Sequence, residues 1–123
     1  MLRRTMWQLN LRNCEEAMAF YQKAFDATID CVYWNEAKTK IEHAEMRAFG
    51  QCLAFSEQPE DIIAGNTIQL CFHFQPGQEE TIRKAYEVMK EGALRDWGLG
   101  PCDWGSLIFS MIDKYGVYWC VFC

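Results

Sequence analysis

The sequence predicts an α+β fold built from two copies of one strand–helix–strands module. Two similar pentapeptides, Trp7–Leu11 and Ile68–Phe72, each precede a helix-like segment that is followed by short strand-like stretches. Self-similarity at a spacing of about 60 residues is typical of a duplicated supersecondary unit. We therefore interpret the chain as a single domain, 1–123, with internal repeats at 1–57 and 66–123.

The first repeat begins with a strand at Thr5–Leu11, where apolar and polar residues alternate. A helix follows at Cys14–Asp26, with Asn13 as its N-cap and Glu16 completing a capping box. Its apolar stripe consists of Ala17, Met18, Tyr21, Ala24 and Phe25. Further strands are predicted at Thr28–Trp34, Ile41–Phe49 and Cys52–Ser56.

The second repeat follows a linker at 58–66, which contains Pro59 and Gly65. It repeats the plan with a strand at Thr67–Phe74 and a helix at Gln78–Lys90 that ends at Gly92. Later strands are predicted at Ala93–Trp97, Ser106–Ile112 and Val117–Phe122. The stretch Trp97–Cys102 is interpreted as a loop.

Alternation assigns the side chains of each first strand to two faces, because successive residues of a strand point in opposite directions. Trp7 is expected in the core beneath the first helix, together with Leu9 and Leu11. The residues expected on the face away from the helices are Gln8, Asn10, Gln69, Cys71 and His73.

Composition restricts the classes of partner. A chain of 123 residues that is 50% hydrophobic can bury a core without metal or disulfide staples. The net charge of −5 argues against nucleic acid and anionic membranes as partners. No apolar run is long enough to span a bilayer, and the first residues do not resemble a signal peptide. We therefore expect a cytoplasmic protein whose seven cysteines are reduced thiols.

Four segments together resemble a known family. They are Asn13-Cys14-Glu15-Glu16-Ala17 with Phe20-Tyr21, His43-Ala44-Glu45 with Gly50, Trp104-Gly105, and Asp113-Lys114-Tyr115-Gly116-Val117-Tyr118-Trp119. In this order and spacing they resemble the motifs of PhnB-like proteins. These proteins belong to the vicinal oxygen chelate superfamily, which includes glyoxalase I, bleomycin-resistance proteins and extradiol dioxygenases.

The resemblance implies a glyoxalase/bleomycin-resistance-like fold in which two βαβββ repeats form a curled mixed sheet. The helices would lie on the convex side, and the concave side would form a cup for a small-molecule ligand. Members commonly form homodimers. Trp97 and Trp104 lie in the segments that correspond to the rim and closing strands of such a cup. Aromatic side chains at these places suit planar ligands. Trp119 fits either the cup or the core.

Metal-dependent members hold one divalent ion with a His or Gln on the first strand and a Glu on the last strand of each repeat. In this chain the first-strand positions fall on Met6 or Gln8 and on Thr67 or Gln69. The corresponding last-strand positions fall on Glu57 and Cys120. If a metal is present, the resemblance therefore implies Gln8, Glu57, Gln69 and Cys120 as its ligands. A thiol in place of a carboxylate and the lack of histidine favour a cup without the ion.

His43 and Glu45 are the candidates for catalysis, because residues two apart on a strand share a face. On the cup side they would form a base and its orienting carboxylate. Alternatively they belong to an exposed ladder of ion pairs with Arg47, Lys40 or Glu42. His73 either reaches the cup or lies in solvent. In Cys120-Val-Phe-Cys123 the two thiols of the motif should point to opposite faces, which argues against a shared metal.

Two functions are compatible with these residues. The first is a small-molecule-binding protein of the superfamily, with the ligand in the cup and no cofactor. The second is a metal-dependent lyase, isomerase or dioxygenase that acts on a small substrate with vicinal oxygens.

Overall fold

The computed structural model describes residues 1–58, 60–63 and 65–123. The chain divides into two compact units, Met1–Ile62 and Ile63–Cys123. Each unit contains one of the predicted repeats. The predicted linker includes Pro59 and Ala64, which lie outside the described residues.

Unit 1 is a βαβββ module with a four-stranded mixed sheet. Strand β1 is parallel to β4, and the order across the sheet is β1-β4-β3-β2. The pairs β4–β3 and β3–β2 are antiparallel. The elements are β1 (Trp7–Leu11), α1 (Cys14–Phe25), β2 (Thr28–Trp34), β3 (Ile41–Ala48) and β4 (Gln51–Glu57).

Helix α1 begins at the predicted residue and ends at Phe25, one residue before the predicted end. The Asn13 side chain accepts a hydrogen bond from Glu16 N at 3.2 Å, as the predicted N-cap, and its amide donates to Glu16 Oε2 at 2.9 Å. The helix ends where Asp26 adopts the left-handed conformation, with φ of 50°. The whole predicted apolar stripe is buried, so α1 packs on one face of the sheet.

Unit 2 has the same topology, with the strand order β5-β8-β7-β6. Strand β5 is parallel to β8, and the other neighbours are antiparallel. Its elements are β5 (Leu70–His73), α2 (Glu79–Met89), β6 (Arg95–Cys102), β7 (Gly105–Ile112) and β8 (Tyr118–Phe122). The predicted α+β fold of two βαβββ repeats is therefore confirmed. In the described part of the chain, no helix is long and apolar enough to cross a membrane.

Three local predictions were wrong. Trp97–Cys102 is not a loop but most of strand β6, which pairs with β7 despite its glycines because two register shifts accommodate them. The first strand of the second repeat is shorter than predicted, and Ile68 before it is 70% exposed. Trp7 is 43% exposed, since burial along β1 is complete only at Leu9 and Leu11.

Asp113 organises the core of unit 2 around one buried carboxylate. Its side chain is fully buried and accepts hydrogen bonds from Tyr115 N at 2.9 Å and Val117 N at 3.0 Å. The other oxygen accepts from Trp119 Nε1 at 2.8 Å. The carboxylate thereby joins the β7–β8 turn to the indole in the core. Trp119 is a core residue, which settles the choice that its position in the sequence left open.

We predict that Asp113→Ala lowers the free energy of unfolding by about 3 kcal/mol. Hydrogen bonds to a charged group contribute about 1.5 to 3 kcal/mol each, and the substitution leaves buried donors unsatisfied. Urea denaturation of this variant and of Asp103→Ala, in the exposed β6–β7 turn, measures the effect. Equal stability of the two variants would contradict the role given to Asp113.

Candidate functional site

Each sheet carries its single helix on one face, and we call the other the helix-free face. On the helix-free face of unit 1, strand register aligns side chains from all four strands. They include Gln8, Asn10, Tyr33, His43, Glu45, Cys52 and Ser56. The predicted pair His43 and Glu45 therefore lies on the face that α1 does not cover.

Glu45 is the centre of a polar network on this face. Arg4 donates two hydrogen bonds to its carboxylate, at 2.8 Å to Oε1 and 3.0 Å to Oε2. His43 Nε2 lies 2.9 Å from Oε2, and the Cys52 thiol donates to Oε1 at 3.4 Å. The ring of Tyr33 stacks near that of His43, with 6.4 Å between centroids. The carboxylate is thus contacted from three sides.

The network fixes the protonation state of Glu45. The hydrogen bonds from Arg4, and then that from His43, lower the pKa of this carboxyl from 4.5 to about 2. Glu45 is therefore an anion at neutral pH and orients His43 through Nε2, which leaves Nδ1 as the second ring nitrogen for proton transfer.

The ion-pair alternative for Glu45 is partly realised, but with an unexpected partner. Arg47 pairs with Asp30 at 2.8 Å, whereas the cation on Glu45 is Arg4. Arg4 precedes the first strand, and no periodicity in its segment predicted this contact. The pair of hydrogen bonds from the Arg4 guanidinium to the Glu45 carboxylate follows only from the folded position of the residues before β1.

The implied metal ligands of unit 1 lie on different faces of the sheet. Gln8 pairs with Ala54, whereas Glu57 pairs with Leu11, a residue of the core face. The Glu57 carboxylate accepts a hydrogen bond from Cys14 N at 3.2 Å, at the start of α1. It therefore interacts with the positive end of the helix and does not share a face with Gln8.

The implied ligands of unit 2 are engaged within their own sheet. Gln69 Nε2 donates to Ser110 Oγ at 3.0 Å and to the carbonyl of Trp119 at 3.2 Å. Cys120 pairs with Cys71 across β5 and β8. Burial, and then the nearby Cys71, raise the pKa of the Cys120 thiol to about 12.

These donors do not fit a divalent ion of the hard or borderline kind. Within residues 1–58, 60–63 and 65–123, no three His, Cys, Asp or Glu side chains are grouped so that they could hold a metal. Such an ion requires several carboxylate or imidazole ligands around one point.

Aromatic rings occupy the helix-free face of unit 2. The ring of His73 stacks on that of Phe122 with centroids 4.3 Å apart and planes 13° apart. Trp97 contacts Tyr118 at 5.8 Å and has the Arg95 guanidinium 4.5 Å from its ring. Trp97 is 46% exposed, so part of the indole is accessible to a ligand. Trp104, in the β6–β7 turn, is more exposed still.

A polar cavity in unit 1 was not predicted from the sequence. It has a volume of about 370 Å³ and lies beside the start of α1. Its walls are Arg12, Asn13, Glu15, Trp34, Thr39, Lys40, Glu57 and Gln58. These residues come from four separate segments of the first repeat, so only the folded chain brings them together.

Two mixed sheets of βαβββ topology, each with one helix, define the glyoxalase/bleomycin-resistance-like fold, and solved structures share it. The chain is similar to a PhnB protein from Bacillus cereus, with a TM-score of 0.82, 20% identity and 98% of each chain covered. A protein from Pseudomonas aeruginosa aligns with a TM-score of 0.81 and 20% identity over 99% of this chain and 98% of its own.

The same fold occurs in the fosfomycin resistance protein FosX from Listeria monocytogenes, whose structure contains Mn(II) and dihydroxypropylphosphonic acid. It aligns with a TM-score of 0.74 and 14% identity over 99% of this chain and 93% of its own. No protein-family profile and no curated protein sequence matches the chain. The resemblance to PhnB-like proteins is thus confirmed at the level of the fold.

We predict that Glu45→Gln destabilises the protein in a manner that depends on pH. A carboxyl whose pKa is lowered from 4.5 to about 2 on folding contributes stability above pH 4.5, and this contribution is lost as the pH falls towards 2. The difference in unfolding free energy between wild type and variant should therefore be constant near neutrality and decrease below pH 4.5.

Urea denaturation at a series of pH values measures this difference. Glu42→Gln, an exposed position on the same strand, is the matched control and should show no comparable trend. If Glu45→Gln lost as much unfolding free energy at pH 3 as at neutral pH, the ion pair with Arg4 would be excluded as the cause.

Proposed function

We propose that this protein is a PhnB-like, small-molecule-binding member of the vicinal oxygen chelate superfamily that works without the divalent metal of its relatives. The ligand would lie in the sheet cup of this fold, against the helix-free face of unit 2. The main observation in support is the exposed indole of Trp97, held between Arg95 and Tyr118 on that face.

The chemistry of this face favours a planar, aromatic ligand. His73, Phe122 and Tyr118 supply further rings, and Gln69 supplies an amide. Aromatic side chains bury a flat ligand by stacking, while a few polar groups fix its orientation. Trp104 and Cys120 are the remaining residues of unit 2 to which we assign ligand contacts. Gln8, on the helix-free face of unit 1, stays a predicted ligand-binding residue. A homodimer and a cytoplasmic location, which the sequence suggested, remain predictions.

The positions of the implied ligand residues support a function that does not use a metal. Glu57 is directed to the α1 N-terminus, and Gln8 faces an alanine across the strand pair. A superfamily relative, FosX, was solved with Mn(II), so the fold itself accommodates an ion. In this chain the implied positions supply two amides, one thiol and a carboxylate that accepts a hydrogen bond at the start of α1.

We predict that Trp97→Ala weakens the binding of a planar aromatic ligand about tenfold. The variant loses the ring contact, which contributes roughly 1.4 kcal/mol to the binding free energy. A panel of such compounds is screened by the shift in melting temperature, and the affinity of a hit is measured by calorimetry. Trp34→Ala removes an indole of similar exposure from unit 1 and should leave the affinity unchanged. Equal losses in both variants would contradict the proposed location.

A separate titration tests the proposed independence from metal. We expect no rise in melting temperature with Mn(II), Fe(II), Ni(II) or Zn(II) that depends on Gln8 or Glu57. An ion bound only by the folded state at a hundred times its Kd would add roughly 2.7 kcal/mol of stability. Such a gain, lost in Glu57→Gln, would favour the metal-dependent lyase, isomerase or dioxygenase instead.

A catalytic role for His43 and Glu45 is a second candidate, supported by their 2.9 Å contact. The anion of Glu45 would hold the imidazole while Nδ1 takes a proton from a bound substrate. His43→Gln should then abolish turnover of any substrate found while leaving its affinity intact. Full turnover by that variant would remove His43 from the mechanism.

A further inference from the structure

We propose that Cys71 and Cys120 form a two-coordinate binding site for a soft, thiophilic cation of the Hg(II) or Cu(I) class. The inference depends on strands β5 and β8 alone. Cys120 is also one of the residues to which we assign a ligand contact, but the cation site does not require that ligand. It also differs from the divalent-ion site of the relatives, because its donors are two thiols of one repeat.

The strand register brings the two thiols together. Cys71 and Cys120 are directly paired in the parallel ladder of β5 and β8. Paired residues of neighbouring strands share a face, so both thiols lie side by side on the helix-free face, and both cysteines are free of disulfides. Cys71 is exposed and Cys120 half-buried, so a cation can approach the pair from solvent through Cys71.

The surroundings select the kind of cation. Neighbouring positions of the same face contribute an amide, a hydroxyl and rings, but no carboxylate; they are Gln69, His73, Ser110, Tyr118 and Phe122. Hard ions prefer carboxylate oxygens, whereas thiolates select soft ions. The site therefore discriminates against Mg(II), Ca(II) and Mn(II).

The number of donors separates this site from a zinc site. No third His, Cys, Asp or Glu joins the pair, as far as the described residues show. Structural zinc takes four ligands in a tetrahedron. Two thiolates on opposite sides of a cation instead suit ions that accept linear coordination, of which Hg(II) and Cu(I) are the common examples.

Binding is a proton exchange without a change in oxidation state. Each S–H bond breaks, its proton passes to solvent, and each sulfur forms a bond to the cation. Burial disfavours an isolated thiolate at Cys120, and a bound cation supplies the compensating charge. Two thiolates with Hg(II) form a neutral unit, which requires no counter-charge from the face; with Cu(I) the unit keeps one negative charge.

The test uses the full, reduced chain under anaerobic conditions. Hg(II) is added with an excess of a competing monothiol, and Cu(I) is added in a parallel series with a chromophoric chelator. Native mass spectrometry counts the retained ions. We expect one ion per chain in the Hg(II) series, where the two thiol protons pass to the two monothiolates that the chain displaces. Retention in the Cu(I) series as well would identify a general soft-cation site.

Variants assign the ion to its donors. Cys71→Ser and Cys120→Ser should each weaken retention by about a hundredfold or more, because a chelate with one remaining donor loses its effective concentration. Cys31→Ser removes a half-buried thiol from unit 1 and should retain the ion. Cys102→Ser should retain it too, although Cys102 lies near enough to Cys120 to influence its charge.

Three outcomes would overturn the proposal. The first is full retention by Cys71→Ser, a substitution at an exposed position that leaves the core intact. The second is loss of the ion in Cys102→Ser, which would mean a third donor. The third is equal retention of Zn(II) under the same competition.

Discussion

Each sheet of this protein packs the helix of its own unit on one face, and this constraint determines what that face can contain. The alternation of a β-strand sends every second side chain to the helix, where residues such as Met46 and Phe109 are fully buried. The intervening side chains point away from that helix, so packing against it does not restrict their chemistry. Polar networks, thiols and aromatic rings accumulate on the helix-free faces, and every candidate residue except Glu57 and Trp104 lies on one of them or contacts it.

The parts of the fold that local chemistry specifies were predictable from the sequence. The Asn13 N-cap with its contact to Glu16 and the buried stripe of α1 depend on residues a few positions apart. Strand β2 also has the predicted bounds, Thr28–Trp34. Strand β6 was misinterpreted because Gly98, Gly100 and Pro101 are typical of loops. Pairing with β7, a tertiary interaction, overrides that preference, and the register shifts absorb the irregularity.

The candidate site was predictable only within a single strand. His43 and Glu45 are two apart, so their shared face follows from geometry. The face on which Glu57 lies depends on the register between β1 and β4. That register places Glu57 opposite Leu11, on the helix side of the sheet. A shift of one residue reverses the face of every side chain, and the sequence of one strand does not contain the register of its neighbour. Arg4 was missed for a related reason, since its contact with Glu45 spans 41 positions of the chain.

The two repeats retain one topology but differ in the chemistry of their helix-free faces. In unit 1 the centre of the face is an ionised carboxylate between Arg4 and His43. On the helix-free face of unit 2, Cys71 and Cys120 are paired across β5 and β8. Duplication preserves the core because packing penalises change there, while the other face remains free to vary. Similarity of fold to FosX or to a PhnB protein therefore carries no information about these residues, and the chemistry of each face has to be inferred from its own side chains.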